Sequence, residues 1–183
     1  TSGVLKISSD GGQTWRSASP NVDVMTVDVD PLDPDILYGA GYHGITKSVD
    51  GGITWSSINS GLTAQLITAL VYGTDNHTLF ATTWTGGFWS SADFGVTWMP
   101  MGLGQNYLSY VIVDPNNSDH LFAGNGSWHN ESYDAGATWS ERTFGQTVSS
   151  MAFAVNSDLY RGWFGMQVLK SADNGMSWVD VSA

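Results

Sequence analysis

Acidic side chains are the most numerous groups in this chain that could do chemistry, and a pair of them would suit cleavage of a glycosidic bond. That reaction needs two carboxyl groups flanking the bond, one protonated as the acid and one ionised. The chain has 17 Asp and Glu residues, but most lie in predicted turns at one end of short strands. Only Asp23 and Glu131 fall at the opposite ends of these strands, where they are candidates for catalysis. We therefore expect no complete catalytic pair within this chain. The turn positions are Asp10, Asp30, Asp33, Asp35, Asp50, Asp75, Asp93, Asp114, Asp119, Asp134, Asp158 and Asp173.

Aromatic side chains form a second set that could bind a ligand. Tyr42, Trp84, Trp128 and Trp163 each fall in or next to a loop between a predicted second and third strand. All these loops lie at the end of the strands opposite the acidic turns, which we call the ligand face. Aromatic rings can stack on the C–H faces of sugars or accept apolar side chains of a partner. Two interpretations stay open, a ligand platform or packing at the ends of the sheets.

One eight-residue stretch, Ser-x-Asp-x-Gly-x-Thr-Trp, positions all these residues because the chain contains it five times. The copies begin at Ser8, Ser48, Ser91, Ser132 and Ser171, and only Ser177 departs from the pattern by replacing Thr. The spacing of about 40 residues predicts one four-stranded unit per repeat. The Asp is expected to bond backbone amides two residues on, the Gly to adopt positive φ, and the Trp to anchor neighbouring sheets. The paired Asp and Trp residues are Asp10 and Trp15, Asp50 and Trp55, Asp93 and Trp98, Asp134 and Trp139, and Asp173 and Trp178.

This stretch is identified as the Asp-box, or BNR repeat, and it resembles the repeats of xyloglucanases, sialidases, sortilin-type receptors and the photosystem II assembly factor. The resemblance implies an all-β propeller of four-stranded antiparallel blades, within a ring of six to eight blades. It also implies that the box is a structural turn on the face away from the active site.

The predicted propeller domain covers residues 1–183 and is partial. Four full blades span residues 20–60, 61–102, 103–144 and 145–183, and a half blade spans residues 1–19. The half blade lacks two inner strands, so we expect missing blades or another chain to complete the ring. Because unpaired strand edges attract other strands, the chain alone is expected to be oligomeric or prone to aggregation.

The basic residues and histidines argue against two kinds of site. Sialidases resembling this family grip the sugar carboxylate with three arginines, whereas Arg16 and Arg142 follow box tryptophans and only Arg161 lies toward the ligand face. A sialidase is therefore not expected. The histidines lack metal-ligand spacing, and residues 28–35 read as a proline-rich turn rather than a calcium loop. We predict neither a metal nor a cofactor.

Composition limits the class of partner. The net charge of −11 disfavours nucleic acid, and no apolar run approaches the roughly 20 residues of a membrane helix. We therefore expect a secreted or surface-exposed binding or scaffold module with an aromatic, low-charge ligand face that suits neutral glycans. The alternative is a xyloglucanase-like glycoside hydrolase whose carboxylates lie mostly outside this segment. An assembly factor fits less well, because the resemblance associates it with a basic patch that this chain lacks.

Overall fold

The computed structural model describes residues 5–18, 24–63, 66–74, 77–85, 87–103, 107–144, 147–163 and 167–182. In these residues the chain forms strands and turns only. Eighteen strands make five antiparallel sheets, four of them with four strands and the N-terminal one with two. No described helix is long and apolar enough to cross a membrane.

Within each sheet the strands follow one another in chain order. The first sheet, blade 1, contains β1 (Lys6–Ile7) and β2 (Arg16–Ser17). Blade 2 contains β3 (Thr26–Val29), β4 (Leu37–Gly41), β5 (Gly44–Ser48) and β6 (Ser56–Ser57). Blade 3 contains β7 (Ile67–Tyr72), β8 (Leu79–Thr83), β9 (Gly87–Ser91) and β10 (Met99–Pro100). Blade 4 contains β11 (Tyr110–Asp114), β12 (Asn117–Gly124), β13 (His129–Ser132) and β14 (Ser140–Arg142). Blade 5 contains β15 (Ser150–Phe153), β16 (Leu159–Trp163), β17 (Gln167–Ser171) and β18 (Val179–Asp180).

The hydrophobic core is divided into layers that lie between neighbouring blades. One cluster, including Tyr38 and Trp98, joins blades 2 and 3, and a second, including Phe80 and Leu121, joins blades 3 and 4. A third cluster around Phe122 joins blades 4 and 5. Each blade is therefore stabilised mainly by the apolar surface that it buries against its neighbours.

The Asp-box is a turn closed by its own side chains. In blade 2, Asp50 accepts hydrogen bonds from the backbone N–H of Thr54 at 2.8 Å and from its hydroxyl at 2.5 Å. The Ser48 hydroxyl accepts from the Gly52 N–H at 2.8 Å and donates to Asp50. The carboxylate thus reaches the amide four residues on rather than the expected two. Asp50 occupies both donors of Thr54, and the outer strand begins only at Ser56.

The box also fixes two backbone conformations. The Gly at the fifth position has positive φ in every copy, as predicted, for example 82° at Gly52. The preceding residue is left-handed as well, even where it is Phe94 or Ala135, with φ of 59° and 55°. This conformation is unfavourable for side chains with a Cβ atom, so the hydrogen bonds of the box hold these residues in it.

We expect acid to destabilise the fold through the boxes. The hydroxyl donor at the seventh position, and then its backbone N–H, lower the pKa of Asp10, Asp50, Asp93 and Asp173 to about 2. An unfolded Asp has a pKa of about 3.9, so this stabilisation is complete above that pH and is lost as the pH falls toward 2. Urea denaturation midpoints measured across that range should fall steadily. The control is Asp50→Asn, whose midpoint should fall less steeply, and an unchanged slope would contradict a titrating box.

Candidate ligand-binding face

Thr68 and Leu108 position the main aromatic pair of the ligand face. Trp84 follows β8, and its backbone N–H donates to the Leu66 carbonyl at 3.0 Å. Leu108, just before β11, accepts a hydrogen bond from the Thr68 hydroxyl of blade 3 at 2.5 Å. This contact anchors the segment between blades 3 and 4 against blade 3. Tyr107 is thereby placed next to Trp84, with ring centroids 4.2 Å apart and ring planes inclined by 52°.

Both rings of this pair are accessible. Trp84 is 50% exposed and Tyr107 is 40% exposed. Tyr107 is not among the residues that the sequence pattern predicts, because the prediction covers only loops within a blade. An aromatic residue in a segment between blades is the feature that could have identified it, since those segments reach the same face.

The loop that carries Trp128 is tied to the same pair. Asn125 accepts hydrogen bonds from the backbone N–H groups of Ser127 and Trp128, both at 3.0 Å. Its amide nitrogen donates to the Tyr107 carbonyl at 2.9 Å. One side chain therefore fixes the half-buried Trp128 loop relative to Tyr107.

Tyr42 lies at the tip of a two-residue hairpin between β4 and β5, where its side chain is exposed. Asn59 supports this hairpin, because its oxygen accepts from the Ile45 N–H at 2.7 Å and its nitrogen donates to the His43 carbonyl at 3.3 Å. A Cβ atom on Gly44 would lie 2.4 Å from the Asn59 oxygen, so only glycine fits there. Trp163 belongs to β16, but its side chain lies outside the described residues.

The ligand face carries little charge. The loops at residues 42–43, 84–86, 125–128 and 164–166 contain no Asp, Glu, Lys or Arg. The same is true of the segments between blades at 59–66, 102–109 and 143–149. Asp23, in the segment that leads into blade 2, lies outside the described residues.

Glu131 lies elsewhere than the sequence predicts. It is buried within blade 4 on β13, and its Oε1 atom is 3.0 Å from His120 Nε2 and accepts a 2.8 Å hydrogen bond from the Tyr133 hydroxyl. Its Oε2 atom lies 3.1 Å from Arg142 Nε. These contacts occupy both carboxylate oxygens. Glu131 therefore lies in the packed layer between blades 4 and 5 instead of on the ligand face, because its side chain is on the same side of the sheet as His120 and Tyr133.

His120 extends this polar cluster to the next blade. Its Nδ1 atom is 3.1 Å from Asp114, which also accepts a 2.6 Å hydrogen bond from the Ser157 hydroxyl of blade 5. Burial lowers the pKa of His120, but its contacts with Glu131 and Asp114 outweigh burial and raise it overall. Burial raises the pKa of Glu131, and the donors around it reverse this and lower it. The arrangement is an imidazole held between two carboxylates, one of which is bonded to blade 5, so the cluster links blades 4 and 5.

Arg161 lies between the same two blades and is buried. Its guanidinium donates to the Phe144 carbonyl at 3.0 Å and lies 4.3 Å from the centroid of the Trp178 ring. No described carboxylate forms an ion pair with it. Arg16 and Arg142 lie on outer strands, as predicted. The described residues contain no group of three or more His, Asp or Glu side chains that could hold a metal ion.

The family model for the BNR/Asp-box repeat matches residues 6–17, which form the N-terminal copy. No curated protein sequence matches the chain. Among solved structures, an ancestral GH74 enzyme is similar over 85% of this chain and 23% of its own, with a TM-score of 0.72 and 22% identity. The GH74 xyloglucanase of Xanthomonas campestris is similar over 92% of this chain and 32% of its own, with a TM-score of 0.71 and 17% identity. YCF48 from Cyanidioschyzon merolae is similar over 97% of this chain and 66% of its own, with a TM-score of 0.68 and 18% identity.

These likenesses show the fold. The chain carries Asp-box repeats and folds as an all-β propeller, and both predictions are confirmed. It spans between about a quarter and two thirds of the length of these structures, and its five sheets form only part of a propeller. The number of blades in the whole ring stays a prediction.

Proposed function

We propose that this chain belongs to an extracellular or surface-exposed binding module whose aromatic face binds neutral glycans. The observation that carries the proposal is the pair formed by Trp84 and Tyr107 at the ligand face. Large apolar rings exposed side by side on a soluble protein mark a binding surface more often than they mark packing. Tyr42 and Trp128 belong to loops of the same face, and Trp163 is the last residue of β16, next to a further loop; we include all three in the proposed platform.

The charge of the molecule favours a neutral ligand. Stacking between an aromatic ring and the C–H face of a sugar needs no charged partner. The net charge of −11 repels polyanions, while the loops around Trp84 and Tyr107 contribute no charge at all. The two rings are in contact and each keeps an exposed part of its surface, so one sugar unit could contact both. Neutral β-glucans, which are extended polymers outside cells, present such units in series.

Trp84→Ala is expected to weaken binding of cellulose and xyloglucan oligosaccharides by about 1–3 kcal/mol, by analogy with stacking of bases on aromatic side chains. The fold should survive, because half of the Trp84 surface is already in water. Calorimetric titration measures the first effect and urea denaturation the second. The matched control is Phe94→Ala, which removes an exposed aromatic side chain from the Asp-box face and should leave glycan affinity unchanged.

The competing interpretation has a different outcome. If these rings are packing residues, Trp84→Ala will unfold the protein and the wild-type chain will bind no glycan. Binding of anionic polysaccharides in preference to neutral ones would also contradict the proposal, because it would require positive charge at the face.

The second candidate function is hydrolysis of neutral β-glucans, and the likeness to a GH74 xyloglucanase favours it. In this case the ligand face would hold part of the substrate groove, and the catalytic carboxylates would lie mostly outside this segment. Glu131 is buried, so it is not available to act on a substrate at the ligand face. This agrees with catalytic carboxylates that lie outside this segment. Release of reducing ends from xyloglucan by a completed ring that contains this segment, and not by this chain alone, would favour the hydrolase over the binding module.

A further inference from the structure

Arg161 is a buried cation without an opposite charge beside it. Only 6% of its surface is exposed, and it lies on the same side of β16 as Leu159, which packs against Phe122 of blade 4. Its guanidinium contacts a backbone carbonyl and two aromatic rings, but within the described parts of the chain it forms no ion pair. Burial lowers the pKa of the guanidinium. Since buried charges are normally paired, this one lacks the partner that its burial requires.

His129 of blade 4 lies in the same layer between blades 4 and 5, and one of its ring nitrogens is unpaired. The side chain is 1% exposed. Its Nδ1 atom lies 2.6 Å from the hydroxyl oxygen of Tyr110. Its Nε2 atom is buried and has no hydrogen-bond partner among the residues that the structure describes. Buried polar groups are nearly always hydrogen-bonded in folded proteins, so this nitrogen indicates a bound group that is not part of the chain.

The unpaired nitrogen of His129 is a hydrogen-bond donor. A phenol is a stronger acid than a neutral imidazole, and the imidazole is the stronger base, so Tyr110 donates to Nδ1 and the ring hydrogen lies on Nε2. Burial, and then the positive charge of Arg161, lower the pKa of His129 to about 4, which keeps the ring neutral at pH 7. Burial also raises the pKa of Tyr110, so the phenol keeps its proton. Nε2 therefore needs an acceptor.

Phe144 lies against both unpaired groups. Its ring centroid is 4.7 Å from that of His129 and 5.4 Å from the guanidinium carbon of Arg161. Val148 and Met151 pack in the same cluster as Phe144 and are apolar. A water molecule would satisfy His129 but would leave the charge of Arg161 uncompensated, and a metal cation would be repelled by that charge. An anion satisfies both groups.

We propose that a small monovalent anion of the class of chloride binds between blades 4 and 5, where it accepts hydrogen bonds from His129 Nε2 and from the Arg161 guanidinium. One negative charge balances the one unpaired positive charge. The ion is small, because both side chains are more than nine-tenths buried and leave no entry for an acidic polymer. It joins blade 4 to blade 5 and is a site separate from the glycan platform.

Chloride should stabilise the wild-type protein through this site. An ion that binds only the folded state raises the free energy of unfolding with the logarithm of its concentration, once that exceeds the dissociation constant. Urea denaturation midpoints measured in mixtures of sodium chloride and sodium gluconate, at one ionic strength, should therefore rise with the chloride fraction. Arg161→Met removes the charge but keeps a long side chain, so this rise should be lost. The matched control is Arg16→Met, which removes an exposed arginine of blade 1 and should keep the wild-type response.

The position of the ion is tested on the wild-type protein, so this result does not depend on the folding of Arg161→Met. Bromide replaces chloride and scatters anomalously, so crystals grown in sodium bromide should show an anomalous peak within hydrogen-bond distance of His129 Nε2 and of Arg161. A water molecule or an empty site at that position would overturn the proposal. So would a chloride response that Arg161→Met retains, that Arg16→Met loses equally, or that the wild type does not show.

Discussion

Replacing Trp98 by alanine is expected to lower the free energy of unfolding by about 3–5 kcal/mol, the usual cost of truncating a buried aromatic side chain. The indole fills the layer between blades 2 and 3, and its N–H group satisfies the Ile58 carbonyl. Alanine would leave both a cavity and an unpaired carbonyl. Urea denaturation followed by circular dichroism measures the change.

Trp15→Ala is the matched control, because it removes the same residue from the same motif. Trp15 is largely exposed, so its loss should change the free energy of unfolding by only about 0.5 kcal/mol or less. The comparison is made at a protein concentration at which the wild-type chain is monomeric, so that self-association does not contribute. Equal destabilisation by the two substitutions would mean that the box tryptophan acts within its own turn rather than between blades.

Glu131→Ala is expected to destabilise the protein by a similar amount, about 3–5 kcal/mol, because it breaks a buried network of ion pairs and hydrogen bonds. His120 loses one of its two carboxylates and Arg142 loses its ion pair. The pKa of His120, followed by NMR, should also fall in the variant, since the contact with Glu131 helps to raise it. Glu141→Ala is the control, because this glutamate is an exposed neighbour on β14.

The same experiment distinguishes a structural from a catalytic role of Glu131. A catalytic acid exposed to substrate is removed at little cost in stability, with loss of activity alone. If Glu131→Ala leaves both the free energy of unfolding and the pKa of His120 unchanged, the buried cluster does not stabilise the interface between blades 4 and 5.

The repeat in the sequence determines the fold because its interactions are local. Every hydrogen bond that closes the turn from Ser48 to Thr54 joins residues at most four apart. Five such turns, each followed by an outer strand, predict the blades wherever they occur in the chain. The aromatic and uncharged loops are also visible in the sequence, since strand order alone assigns them to one face.

Tertiary structure decides what identical motifs do. Trp15 and Trp98 end copies of the same motif, but Trp15 is exposed, whereas Trp98 is buried because it packs against blade 2. Tyr107 becomes part of the candidate site only because Leu108 is bonded to Thr68, 40 residues earlier.

Glu131 is the residue for which sequence and structure differ most. It lies on a strand of the blade, as the sequence suggests, but its side chain meets His120 on one neighbouring strand and Arg142 on the other. Those partners are selected by the register between strands and by the packing of blade 4 on blade 5. The spacing of residues along the chain determines the turns and strands. The environment of a buried charge depends instead on residues that are distant in sequence and meet only when strands and blades pack together.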